Sequence, residues 1–319
     1  MKISFAETIA KDRFLILVII LLIIPYVISH PWFLRIATLT FMWAVLALSW
    51  NILGGFAGQI SFGHAAFFGL GAYTSTLLFL YYNISPWVGL FVGAGVATLA
   101  SLFIGYLTFR LRGHYFALSM LAFPLILLLI FSYHPLEWYE LRFPFLGDAP
   151  LYFQFASRHS YYQISLMLLA ITVYVVRMLD RSRIALYWRA IKENEDAAGS
   201  LGVNTFKYKM IALMISAFIA GALGTFYVQY VLTLDPHIAF GLHVSVNAVV
   251  MPIVGGLGTI WGPILGAALL VPLGEITTAL WGGSLPGLHM IIYGIIVMIV
   301  IAMIPEGLYP RIRKVVSFR

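Results

Sequence analysis

The residues best suited to specific work stand together at Asn194-Glu195-Asp196-Ala197-Ala198-Gly199-Ser200-Leu201-Gly202. Asn194 is a strong N-cap, because its side-chain oxygen can accept from an amide of the first helical turn. Glu195 and Asp196 follow where the macrodipole favours negative charge, and Gly202 can take the left-handed conformation that ends a helix. The spacing predicts a short, stiff helix. Ala197 and Ala198 leave it a face without bulk, onto which a groove of another protein can close; a generic amphipathic interfacial helix is the alternative. This is docking chemistry rather than bond-making chemistry.

A second group, Gly54-Gly55-Phe56-Ala57-Gly58-Gln59-Ile60-Ser61-Phe62-Gly63-His64-Ala65-Ala66, interrupts apolar sequence with three polar side chains, Gln59, Ser61 and His64. Backbone groups must be bonded inside lipid, so a glycine-rich break belongs against protein or a water-filled cavity. There it could offer amides to a carboxylate, as half-helix N-termini do. A plain inner turn followed by a packed helix fits the same residues. Asn247, beside Ser245, is another buried polar candidate, either on a path or in an interhelical bond. The candidate path residues are thus Gly58, Gln59, Ser61, His64 and Asn247. Glycines recur at Gly255-Gly256, Gly258, Gly262 and Gly266, as close helix packing or as a second break.

Catalytic chemistry finds no support. With no cysteine, disulfides, thiolate metal sites and a cysteine nucleophile are excluded. The eight histidines include no H-x-x-x-H pair and no H-E-x-x-H, so no metal site is expected. A Walker A loop needs Gly-Lys, and none of the six lysines follows a glycine. Of the twelve acids, eleven fall in loops, at span ends or in the terminal segments. The exception is Glu275, after Pro272 and Gly274, inside the outer end of its span. It reads either as a snorkelling or interhelically bonded acid or as a cation-attracting group in an outer vestibule.

These groups must be positioned by a membrane body. Of the 319 residues, 62% are apolar and only 10% charged, against about 45–50% and about 25% in soluble domains. Mean hydropathy is +0.96. At about 20 residues per span the length holds roughly ten helices and no sizeable soluble domain. Apolar runs bounded by charge, Pro or Gly predict spans near 14–30, 34–53, 62–82, 86–109, 114–133, 161–180, 208–232, 238–256, 259–280 and 288–305. Membrane β-strands would alternate with period two, whereas Leu15 to Ile24 and Leu121 to Ile130 are almost continuously apolar. The fold class is therefore all-α and polytopic, with eight spans plus re-entrant pieces as a variant. The first run follows Lys2, Lys11 and Arg13, lacks an A-x-A-like cleavage site, and is read as a retained span with Trp32 as interfacial anchor.

With a cytoplasmic N-terminus, sixteen of the nineteen Lys and Arg lie inside, and only Arg35, Arg142 and Arg158 lie outside. That bias predicts both termini in the cytoplasm. The formal charge of +7 then reports orientation and requires no nucleic acid. A single membrane domain, 1–319, carries two long connections, an outer one at 134–160 and a polar inner one at 180–209.

The run Asp196-Ala197-Ala198, three residues, then Gly202 resembles the EAA coupling loop of ABC-importer permeases, with Asp where that pattern often has Glu. Arg189-Ala190-Ile191 to Gly202-Val203-Asn204, Lys207-Tyr208-Lys209 and Ala57-Gly58-Gln59-Ile60-Ser61-Phe62-Gly63-His64-Ala65-Ala66-Phe67-Phe68-Gly69 resemble LivM-type permeases of high-affinity branched-chain amino-acid uptake. The likeness continues through Gly255-Gly256-Leu257-Gly258-Thr259 to Pro305-Glu306-Gly307-Leu308.

That resemblance implies a permease subunit, not an enzyme, in a bacterial or archaeal inner membrane, moving leucine, isoleucine, valine or related small amino acids. It implies a homologous LivH-type second permease and two ATP-binding subunits that hold ATP and Mg. It also implies a periplasmic or lipid-anchored substrate-binding protein. No cofactor is expected in this chain, and its other surroundings are membrane lipids. Coupling would run through Glu195, Asp196, Ala197, Ala198 and Gly202. Relatives that take urea, short amides or small organic acids keep the substrate open. An ion-coupled transporter would need intramembrane acids or Arg pairs, and a membrane enzyme of lipid or isoprenoid chemistry a polar cluster at the interface; neither is evident.

Overall fold

Apolar chain in lipid satisfies its backbone internally, and the computed structural model of the protein is built almost wholly of helices. It describes residues 18–26, 28–133, 139–144, 146–282 and 288–317. Helix α1 covers 18–26. It is followed by α2 (Pro31–Asn51), α3 (His64–Tyr82), α4 (Pro86–Thr108), α5 (His114–Tyr133) and α6 (Arg158–Asp180). Two short polar helices, α7 (Arg183–Glu193) and α8 (Glu195–Ser200), lead into α9 (Thr205–Val231). The chain closes with α10 (Pro236–Phe240), α11 (Leu242–Gly255), α12 (Trp261–Trp281), α13 (Leu288–Met303) and α14 (Leu308–Ser317). Helix starts follow local chemistry: α4 opens with Ser85 as cap and Pro86 as first residue, and Asp235-Pro236 does the same for α10.

Among the described residues, nine helical stretches are long and apolar enough to cross a membrane. Each matches one expected span. Within the remaining expected span, 14–30, the described residues 18–26 form α1, and 14–17 and 27 lie outside the described residues. Two stretches are not single rods. Gly241, in an extended conformation, separates α10 from α11, so that α10 packs on α3 and α5. Pro305-Glu306-Gly307 separates α13 from α14, because Pro cannot continue a helix and Gly307 has φ +86°.

The body is centred on α3, α4 and α9, while α2 packs against α6, α11 and α12. The first group is held close by small residues. Gly89, Gly93 and Ala97 recur every fourth position on α4, and a Cβ at Gly93 would lie 2.7 Å from the Gly71 carbonyl oxygen. One at Gly221 would lie 2.7 Å from the Ala97 Cβ. In lipid such fits supply packing energy that the hydrophobic effect cannot. Gly93→Leu is therefore expected to lower stability by about 1–3 kcal/mol through overpacking. An unchanged melting temperature of the variant in detergent would show that this contact is slack.

A two-residue antiparallel pair, β1 (Leu141–Arg142) with β2 (Thr233–Leu234), ties the outer segment to the end of α9. Trp87 holds the same segment to the start of α4, stacking on Phe153 at 4.0 Å and donating to the Pro150 carbonyl at 2.8 Å.

Candidate functional site

The polar loop folds as its sequence requires. Ala185, Trp188 and Ile191 form the buried stripe of α7, and Trp188 Nε1 donates to the Tyr208 carbonyl at 2.8 Å. Asn194 ends α7 and caps α8, accepting from the Ala197 amide at 2.9 Å. Gly202, at φ +87°, turns the chain toward α9.

Two ion pairs fix α8 in place. Glu195 accepts from Lys209 Nζ at 2.6 Å, and Lys209 is only 2% exposed and lies over the Phe109 ring. Asp196 takes Arg112 Nη1 on both oxygens, at 2.8 and 3.0 Å, on the surface. An exposed pair contributes about 0–1 kcal/mol, but removing Glu195 would strand a buried ammonium at a cost of about 3–5 kcal/mol. Glu195 therefore seats the helix, and Asp196 steadies its outer edge. The two alanines differ: Ala197 is exposed, while Ala198 is 3% exposed and turned into the protein's own body. Of the two alanines, only Ala197 belongs to the bulk-free outward face.

The two glycine clusters meet. Helix α2 runs into a π-helical turn, Ile52–Phe56, before Gly58 at φ +71°. Gly258, in the turn between α11 and α12, also has φ +71°. Asn51 joins them, accepting from the Gly258 amide at 3.0 Å and donating to the Thr259 carbonyl at 2.9 Å. Lys192 on α7 donates to the Gly55 carbonyl at 2.9 Å. Both breaks therefore sit side by side against α7, at the end of the body that carries the polar loop.

The five candidate path residues lie in three different settings. Gly58 and Gln59 belong to the turn beneath α7; Gln59 is half-buried, with one long contact of 3.4 Å to the Ala57 carbonyl. Ser61 and His64 are buried among helices. Ser61 accepts from the Gly63 amide at 3.1 Å, and its carbonyl takes Trp50 Nε1 at 2.6 Å. His64 Nε2 lies 2.6 Å from Ser216 Oγ, whose proton goes to the Ser49 carbonyl. The imidazole must then donate from Nε2, which assigns the tautomer from the network. Asn247 is separate again, on the wall of a cavity.

That cavity, of about 330 Å³, opens between α2, α11, α12 and α13, with Trp43, His243, Asn247, Glu275 and Tyr293 among its lining. Glu275 faces it while pairing across helices with Arg35 at 3.4 Å, the interhelical bond of one of its two sequence readings. Sequence reasoning missed Asn51, Lys192, Lys209 and Arg112. Lys192 and Lys209 stand within the runs that carry the family resemblance and Arg112 counts only as inside charge, and none of the three has a local signal for its partner.

A polytopic helical body that carries a short polar helix braced by two ion pairs defines an all-α integral membrane protein. The chain belongs to the branched-chain amino acid transport system / permease component family, whose model matches residues 32–301. It is similar to the high-affinity branched-chain amino acid transport system permease protein LivM of Escherichia coli K12. Identity there is 27%, covering 96% of this chain and 77% of the relative. The LivM of Salmonella typhimurium LT2 is 26% identical over the same shares. The guanosine ABC transporter permease protein NupQ of Bacillus subtilis is 25% identical, over 54% of this chain and 59% of its own length. No solved structure gives a significant match. The chain is a permease subunit and not an enzyme.

Proposed function

We propose that the protein is one permease of an ATP-driven importer that carries leucine, isoleucine, valine or related small amino acids across a bacterial or archaeal inner membrane. Its partners in this reading are a LivH-type permease, two ATP-binding subunits that hold ATP and Mg, and a periplasmic or lipid-anchored binding protein. Both termini face the cytoplasm, an orientation supported by the sixteen inner basic residues. The ATP-binding subunits close on the loop 180–209, with Ala197 at the contact and Glu195, Asp196, Ala198 and Gly202 holding the shape. The observation that carries this reading is the seating of α8 on both flanks, by Lys209 and by Arg112. A helix braced on two sides transmits a push, whereas a solvated loop absorbs it. The likeness to LivM supports the amino-acid substrate, and the likeness to a guanosine permease favours nucleosides as the second reading.

The test is reconstitution in liposomes. Concentrative uptake of labelled leucine is expected only with ATP and the partner subunits, and guanosine should not compete. Uptake driven by an ion gradient through the chain alone would sink the importer reading.

A further inference from the structure

Four polar groups at the cavity between α2, α11, α12 and α13 have no hydrogen-bond partner among the described residues: Trp43 Nε1, the His243 ring, the Asn247 amide and the Tyr293 hydroxyl. The neighbouring hydroxyls of Thr277 and Thr278 behave differently, both donating to the Gly274 carbonyl, at 2.9 and 2.8 Å. Among the described residues Glu275 has one ion-pair partner, Arg35, at 3.4 Å through Oε2. Polar groups in a membrane body are costly when unpaired, so a set of them around one opening is suited to a ligand that supplies the missing bonds. His243, Asn247 and Met251 follow one another at four-residue spacing, which puts them on one face of α11.

The lining also selects a chemistry. A carboxylate beside the aromatic rings of Trp43 and Tyr293 suits an ammonium, through charge and through the ring faces. The Asn247 amide has two donors to offer a carboxylate. Met251, Leu270 and Val271 make an apolar wall. A volume of about 330 Å³ lies at the lower end of small-molecule sites, which run about 300–1,000 Å³.

We propose that this cavity is a passing site for an aliphatic α-amino acid, with Glu275 receiving the ammonium and Asn247 the carboxylate. Met251, Leu270 and Val271 take the side chain. The proposal rests on the amino-acid reading above and deepens it. A neutral nucleoside leaves Glu275 unmatched, and an organic acid is repelled by it.

Labelled L-leucine uptake by the complete importer in proteoliposomes tests the site at equal amounts of assembled complex. Glu275→Gln and Gly274→Leu are expected to lower maximal uptake at least tenfold, with half-saturation unchanged and ATP hydrolysis retained. Gly274→Leu works by filling, since a Cβ there comes no closer than 3.6 Å to Tyr293. It decides the matter if Glu275→Gln fails to assemble. Arg35→Gln, which removes the ion pair and keeps the carboxylate, should retain at least half of the uptake. Loss in Arg35→Gln equal to that in Glu275→Gln would make the acid a mere interhelical tie and overturn the site. Leucine uptake within twofold of wild type in both Glu275→Gln and Gly274→Leu overturns it as well. A wild-type importer that takes guanosine and refuses leucine overturns the amino-acid reading itself, a result distinct from unaffected variants in a leucine carrier.

Discussion

Ala197→Trp is expected to cut uptake by the assembled importer at least tenfold while the permease reaches the membrane in normal amount. Ala197 is exposed on a helix whose neighbours Glu195 and Asp196 are already engaged by Lys209 and Arg112, so α8 cannot swing aside to accommodate an indole. Tenfold requires only about 1.4 kcal/mol, less than the roughly 2 kcal/mol or more that one hot-spot position carries. Ala198→Trp should act differently. Ala198 is 3% exposed, so the larger ring overpacks the seat of α8 and lowers thermal stability by about 1–3 kcal/mol before any partner is involved. Measuring uptake, co-purification of the ATP-binding subunit and melting temperature on both variants separates the two effects. Wild-type uptake and co-purification with Ala197→Trp would show that this face is not the dock.

Lys192→Met should uncouple the importer, leaving ATP hydrolysis running while uptake falls about tenfold. The substitution keeps a flexible stem against Gly58 and deletes only the ammonium that donates to the Gly55 carbonyl at 2.9 Å. A charged hydrogen bond of this kind contributes about 1.5–3 kcal/mol. Here it is the direct link from α7 to the end of α2, and through Asn51 to the turn before α12. Lys192→Arg should recover part of the uptake, since it restores a cationic donor. Gly58→Leu attacks the same joint from the other side: its φ of +71° is unfavourable for any side chain, and a Cβ would come 2.9 Å from Lys192 Cγ. Gln59→Leu should stay within about twofold, because among the described residues its side chain makes only the 3.4 Å contact inside its own turn. Coupled, wild-type uptake with Lys192→Met would remove the link.

Membrane class, helix content and the position of nearly every described span were legible in the chain, because hydrophobic runs of about 20 residues have a single structural solution in lipid. The caps of α8 were legible too. Asn194, Glu195, Asp196 and Gly202 act within a few residues of themselves, and local hydrogen bonding and dipole energetics are properties of local sequence. The family resemblance rested on such local runs.

Tertiary structure alone decided which residues meet. Asn51 and Gly258 are more than two hundred positions apart, and no spacing rule relates them, yet one amide joins the two glycine-rich turns. Lys209 reads as the basic flank of an apolar run until Phe109 and Glu195 are seen to enclose it. Ala197 and Ala198 are equivalent letters in a motif, but successive residues of a helix point about 100° apart, so one faces solvent and the other the core. Glu275 required four helices to show that a carboxylate near a span end also borders a cavity with unpaired polar walls. In each case the deciding energy comes from long-range packing, which depends on the whole arrangement of helices and leaves no trace at any single position.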